Sequence, residues 1–461
     1  MSTQISTLPD RHFAEQLVEA AIKAGAAHAD ALSISETGDS VSVRNGVVES
    51  VEREDARGMG LRAFVETSCG MAFATASTSD LSTAGLHKLA EQVIAMARIS
   101  EPDPDAVPPV GANHPTEAEL DAWQQRHNHD DSGWSLEQAT AAALECEQIA
   151  LAYSDQISNS EGADASFGSN RVLYASSDGF SAAYNRCSAS LSASVIAGSG
   201  DGMQRDYAWH RALHASKLRS PATIATEAAR RAVQRLNPGS MDSGETTVIF
   251  EPRTATSLLG HLISAINGRA ILQQRSFLTD ALQHGIFPDT VCIDDDPDHP
   301  LGLGNRLFDG EGTRCRRNRL IDNGVLQHFL SDRYTAKRLG QPETGSASRG
   351  LTGDIGIGSS NLIWHGGSLS QEQILKQIGN GLLVTELIGF GVNGVTGDYS
   401  RGAGGFLIEN GEIVRPVQGI TIAGNLKQMF ARISHVGSDL TWFGSTAIPS
   451  IAIEGLTVAG Q

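Results

Sequence analysis

A chain of 461 residues has room for two or three domains, each with its own buried core. Aromatic residues make up 5% of it while Gly, Ala and Ser abound, so Val, Ile, Leu and Ala must fill those cores. The formal net charge of −18 repels phosphate backbones, which argues against direct nucleic-acid binding.

The opening MSTQISTLPDRHFAEQL lacks the apolar segment of a signal peptide, and no later stretch approaches the roughly 18 uninterrupted apolar residues of a membrane span. A first α+β unit is expected over residues 8–99. Its helix, Asp10–Ala24, places Phe13, Leu17, Ala21 and Ala24 on one face and stops at Gly25. A strand near Ala31–Ser35 follows, then a hairpin about Asn45-Gly46 and a second one, GLRAFV-ETSC-GMAFAT. Ser79 is the expected cap of a closing helix whose apolar face is Leu86, Leu89, Ala90, Val93 and Ala97. Such a sheet hides one face under two helices and leaves the other free.

Glu101–Asp131 carries five prolines and His114, His127 and His129, and reads as a linker or a mobile lid. Ser135 and Gln138 form a capping box for a helix running to about Tyr153. Residues 157–213 read as strands with turns at FGSN and SDGF, and Ser220-Pro221 opens a helix to Leu236. Asn237-Pro238-Gly239 marks the main boundary. This gives an N-terminal domain over 1–237, in two parts (8–99 and 135–237), and a C-terminal domain over 243–461. The latter opens with strand Thr246–Phe250 and helix Arg253–Ile266 and then turns mainly β, with hairpins at Asn323-Gly324 and Asn410-Gly411 and a helix at Ser370–Gly379. The expected fold class is α+β: a helix and antiparallel-sheet domain followed by a mainly antiparallel β domain.

Between Gly389 and Asn425, ten glycines fall within 37 residues, threaded with Phe390, Tyr399, Phe406, Leu407, Ile408 and Ile422 that a solvated linker would not carry. GGFLIE-NG-EIVRPV reads as a type I′ hairpin, and Pro416 favours an edge position for its second arm. Two readings stand: a rail that accepts an extended peptide, or a tightly turned core hairpin, the latter favoured on local features alone.

The segment GDYSRGAGGFLIENGEI…ITIAGNLKQMF resembles the C-terminal signature of the TldE (PmbA) branch of the TldD/TldE family. The likeness extends to MQRDYAW, FLTDALQHGIFPD, FDGEGTRCRRNRLIDNGVLQHFLSDRYTAKRLG and VRNGVVESVERE, and so covers nearly the whole chain. In the TldD branch, the resemblance implies, the helix matching Arg253–Ile266 carries a His-Glu-x-x-x-His motif and a distant Cys completes the metal site. Catalytic zinc needs three protein ligands and a carboxylate to take a proton from bound water. Here the helix offers His261 alone, which reads as a packed or interface histidine in the vestige of that site, with no functional metal.

No other constellation replaces it. His210 and His214, read on a strand, would stand roughly 13 Å apart and could not share an ion. Asp294-Asp295-Asp296-Pro297-Asp298 lacks the EF-hand alternation and reads as a solvated acidic loop. The cluster Arg314, Arg316, Arg317 and Arg319 reads as one solvated face of a strand pair. Ser400 falls one position late for a nucleophile elbow, and no Walker or dinucleotide fingerprint is present. The five scattered cysteines, without a CxxC pair, suit reduced thiols of a cytoplasmic protein.

No catalytic residue and no cofactor are therefore assigned to this chain. The resemblance implies a partner of a zinc-bearing TldD-like subunit in a heterodimeric metallopeptidase that encloses and degrades or processes unfolded or short peptides, of the bacteriocin-precursor or antitoxin type. Self-association of the chain alone is left open. Asp398, Ser400, Arg401, Gly402 and Gly404 are the expected peptide-binding or cavity residues, and Arg205, Asp206 and Tyr207 the expected subunit or domain junction. The rival readings are a self-sufficient homodimeric metallopeptidase and a non-catalytic peptide-holding or regulatory protein.

Overall fold

A computed structural model describes residues 8–127 and 131–460. Its N-terminal half is built on one six-stranded sheet in the order β3-β2-β1-β4-β5-β6. The strands are β1 (His28–Arg44), β2 (Val47–Thr67), β3 (Gly70–Thr78), β4 (Ile157–Ser176), β5 (Ser181–Ala197) and β6 (Gln204–Ala212). The two parts read from the sequence thus share a sheet, joined where β1 runs antiparallel to β4 from Asp30↔Ser176 to Val43↔Ala163. Far from the five residues expected near Ala31, β1 spans 17.

One face of this sheet is covered twice over. Helices α1 (Leu8–Lys23) and α2 (Thr83–Ile99) pack Leu17, Ala21, Leu86 and Val93 on Ala31, Leu61 and Leu173. Of the next three helices, α3 (Glu117–Arg126), α4 (Leu136–Leu151) and α5 (Pro221–Gln234), the last two pack Ala139, Ala143, Ile224 and Ala228 on Val41, Val43, Ala165 and Leu191. The abundance of alanine on these helices lets them sit close to the sheet, which is how a chain poor in aromatics closes its core.

Three local expectations are corrected. The cap of α2 is Ser82, not Ser79: its hydroxyl accepts from the Gly85 N–H, and the Asp80 carboxylate accepts from the Ser82 N–H. FGSN is no turn but the middle of β4, where a side chain on Gly168 would come within 2.4 Å of the Thr37 carbonyl oxygen. The Pro-rich segment is not free of structure. Thr116 and Glu119 form a capping box for α3, whose Trp123 is buried among Leu32, Val172, Tyr184 and Phe308. Arg333 fastens the part before α3 by donating to the carbonyls of Pro108 and Val110. His129 lies outside the described residues.

The C-terminal half opens with β7 (Gly244–Phe250) and α6 (Pro252–Ala265). Its main sheet runs Glu412–Asn425, Asp398–Glu409, Gly381–Ile388, β7, Ile451–Ala459 and Ile433–Val436, with the first also pairing to Ile451–Ala459 at Thr421–Ala423. That extra pairing closes five strands on themselves, and α6 buries Leu258 and Leu262 against Val248, Val384 and Ile422. A second six-stranded sheet includes Leu362–Trp364 beside Thr446–Ile448. Among the strands of these sheets, pairing is antiparallel except for that pair and for β7 with Gly381–Ile388.

Asn410 and Gly411 take φ of 52° and 80°, as a type I′ turn requires.

Candidate functional site

The glycine hairpin is built inward. A side chain on Gly405 would lie 1.9 Å from the Leu383 carbonyl oxygen, and one on Gly402 would lie 3.2 Å from Ile388 Cβ. These glycines let Asp398–Glu409 press against Gly381–Ile388. The second arm ends its sheet as expected, but part of that edge is taken: Thr421–Ala423 pair with the last strand and the Pro416 carbonyl accepts from the Gly239 N–H.

Alternation along Asp398–Glu409 sends Tyr399, Arg401 and Ala403 to the face that meets α6 and leaves Asp398 and Ser400 exposed. Asp398 accepts from the Thr396 hydroxyl at 2.6 Å and the Asn425 amide at 3.2 Å, which hold its carboxyl below the ordinary aspartate range. The Ser400 N–H donates to the Gly391 carbonyl. Gly404 is buried, with a Cβ position 3.3 Å from the Glu386 carboxylate.

His261 on α6 meets Tyr399 edge to face at 6.0 Å between ring centres. Burial, and then the charge of Arg401, lower the His261 pKa, and burial pushes Tyr399 up to about 12. Among the described residues, His261 Nε2, the Tyr399 hydroxyl and Arg401 Nε find no hydrogen-bond partner. A neutral imidazole beside a guanidinium is a poor cation site, because Arg401 repels the ion that His261 would bind. Among the described residues no three His, Cys, Asp or Glu side chains are placed to hold a metal.

Arg401 opens into a cavity of about 490 Å³, where it joins Arg205, Asp206 and Tyr207 from β6 with Arg253 from α6 and Glu386. Asp206 is the centre of this group and is 2% exposed. It accepts from Arg253 at 2.7 Å and lies 3.4 Å from Arg235 and 3.5 Å from Arg231. Burial opposes its charge, but the Arg253 hydrogen bond and the charges of Arg253 and Arg231 outweigh that and keep its pKa low. Arg235 continues to Glu386 and Arg231 to Glu251, so the network ties α5 and β6 to the C-terminal half. Tyr207 lies under Arg253, 4.7 Å from the ring centre, while Arg205 is turned out to Glu161. Sequence reasoning singled out Arg205, Asp206, Tyr207 and Arg401; the structure brings them into one cavity, which Asp398 and Ser400 do not line.

A larger cavity, about 1040 Å³, lies between the C-terminal half and the face of the N-terminal sheet opposite α1, α2, α4 and α5, the face on which α3 seats Trp123. Glu36, Glu52, Glu54 and Arg186 line it from the sheet, and Arg306, Asp309 and Ser360 face them. Arg349 and Asp309 of its lining belong to a group of buried charges that sequence reasoning did not single out. Asp30 pairs with Arg62 and Arg349, each at 2.6 Å, and Arg62 reaches Glu311 at 3.3 Å. The Asp309 carboxylate accepts the backbone N–H groups of Glu311, Thr313 and Ala347. Burial, then the Glu311 charge, raise its pKa. Asp309 and Glu311 sit in FDGEGTRC; the run of charges among glycines was the available signal.

The acidic run is corrected too. Asp294 and Asp295 are buried rather than solvated, with Asp294 held by Arg317, Arg319 and His365. The arginine cluster is accordingly engaged instead of free: Arg314, Arg317 and Arg319 form ion pairs, and Arg316 donates to the Glu343 carbonyl.

Models of the PmbA/TldA metallopeptidase match as domain 1 over residues 29–97, central domain over 129–236 and C-terminal domain over 243–460. Metalloprotease PmbA of Escherichia coli O157:H7 is 34% identical, with 98% of this chain and 97% of that protein covered. The Haemophilus influenzae PmbA homolog is 35% identical over 96% of this chain and 94% of its own length. The crystal structure of a candidate modulator of DNA gyrase from Bacteroides thetaiotaomicron superposes with a TM-score of 0.85 at 28% identity, covering 99% of this chain and all of that one. TldE from Thermococcus kodakarensis shares the fold, with a TM-score of 0.84 at 21% identity over 97% of this chain and 100% of that chain.

Proposed function

The chain belongs to the PmbA/TldE branch of the PmbA/TldD metallopeptidase family, and from that membership we propose that it is the non-metallated subunit of a two-subunit peptidase. One observation carries the reading. The helix on which a metallopeptidase of this family would present its ligands offers His261 alone, wedged between Tyr399 and the cation of Arg401. The zinc that the family implies does not fit this chain's residues, so no step of hydrolysis is routed through them. A TldD-like subunit supplies the metal; this chain closes the reaction space and holds unfolded or short peptides in the cytoplasm.

The surface supports a partner. Phe390 is 99% exposed at the tip of the loop after strand Gly381–Ile388, with Ile388 and Val395 each more than half exposed beside it. Apolar side chains clustered on a projecting loop suit burial against a second subunit. Sedimentation of the chain mixed with a TldD-like subunit from the same genome tests this: a complex of defined stoichiometry, weakened at least tenfold by Phe390→Ala (about 1.4 kcal/mol), is expected. No complex at micromolar concentrations would overturn it.

A further inference from the structure

The register of the N-terminal sheet leaves a gap. Strand β2 pairs with β1 along most of its length, from Val47 to Phe64, but with β3 only from Met59 to Thr67. From Val47 to Gly58 the other side of β2 has no strand beside it, and every residue of that stretch except the last is exposed. A bulge displaces Glu49, so the regular part of the open edge is Ser50–Gly58. Loop residue Leu351 closes its far end, since a side chain on Gly58 would meet Leu351 Cδ1 at 2.4 Å.

We infer that Ser50–Gly58 of β2 accepts an extended polypeptide as an added strand, and that it selects one carrying basic residues on the cavity side. This rests on the peptide-holding role proposed above and moves the peptide rail from the glycine hairpin to β2. The reasons are main-chain and side-chain together. An unpaired strand flank offers N–H and C=O groups that are satisfied by a guest strand irrespective of its sequence.

The two faces then set what the guest carries. Glu52 and Glu54 point to the cavity face and line the 1040 Å³ space, so cross-strand neighbours there are favoured when they are Lys or Arg. Val51, 50% exposed, stands on the opposite face opposite buried Val41, and a guest Val or Ile beside it would extend that apolar stripe. The guest is thus a strand with basic residues on the cavity side and a β-branched residue beside Val51, whose face continues with the charged Arg53, Asp55 and Arg57. The same glutamates keep two copies of this edge from pairing, because like charges would face each other. The chain's net charge of −18 adds long-range attraction for a basic, unfolded partner.

Hydrogen exchange of the full chain tests the proposal without requiring catalysis. The probe is a capped ten-residue peptide alternating Lys with Val and Thr, compared with the same peptide N-methylated at alternate residues. The unmodified peptide is expected to slow exchange of the outward-facing amides in 50–58 by about tenfold or more at saturation, and the N-methylated one to leave them unchanged. The double variant Glu52→Lys, Glu54→Lys is expected to lose that protection and gain it with a Glu-containing peptide. Protection on strand Glu412–Asn425 in place of β2, equal protection by the N-methylated peptide, or slow exchange of 50–58 in the peptide-free chain through pairing with a second copy would each overturn it. A missing complex with a TldD-like subunit, by contrast, bears only on the proposed function.

Discussion

Asp206 holds three arginines at the junction of the two halves, so removing it leaves several buried cations short of a partner. Breaking a buried pair on one side typically costs about 3–5 kcal/mol, and Asp206→Ala is expected to lower stability on that scale in urea unfolding. The carboxyl's folded pKa is depressed, so its contribution is present above the ordinary value of 3.8 and is lost as pH falls through the lower folded value. The variant should therefore show a flatter stability profile in acid than the parent. Asp295 behaves in the opposite sense. Burial pushes its pKa up to about 6, so its protonated form favours the fold below 3.8, and that advantage disappears as pH rises through about 6. Asp295→Asn should remove a decline in melting temperature between roughly pH 4 and 6, read by calorimetry. His261 and Arg401 were legible as residues of interest, yet their contact was not, because a helix and a strand some 140 positions apart meet only in the folded chain. The Asp30–Arg62–Arg349 group was hidden for a related reason: Asp30 and Arg62 meet only once β1 and β2 pair in register, and Arg349 arrives from the C-terminal half.

Among the elements, those with local chemistry were readable. The capping box at Ser135, Pro221 at the first position of α5 and the Asn410-Gly411 turn stand where sequence places them, since each depends on residues within a few positions. FGSN misled because a glycine reports a backbone requirement without saying which neighbour imposes it. At Gly168 that neighbour is β1, whereas Pro416 does stand on the end strand of its sheet, outside the stretch that pairs with Ile451–Ala459. The glycine hairpin makes the point testable. Gly405→Ala would drive a methyl to within 1.9 Å of the Leu383 carbonyl oxygen, so a loss of about 1–3 kcal/mol is expected from forced backbone shifts. A thermal melt reads it; an unchanged midpoint would mean that the strands part there at no cost.

At the scale of the molecule, two halves are locked by buried ion networks around two cavities, and the larger cavity lies against the open edge of β2. Fold class and family could be read from the sequence, the first from periodicity and the second from spaced motifs. The joining of the two N-terminal parts into one sheet could not, because the β1–β4 pairing spans a helix-bearing segment with no local signal. A frame locked in this way suits a subunit that shapes a reaction space it does not itself catalyse in. The most direct measurement compares three preparations: this chain alone, a TldD-like subunit from the same genome alone, and the two together. Each is assayed for bound zinc and for cleavage of an unstructured peptide. Zinc confined to the TldD-like subunit, with cleavage only in the mixture, is the predicted result. Stoichiometric zinc and peptide cleavage in this chain alone would contradict the account.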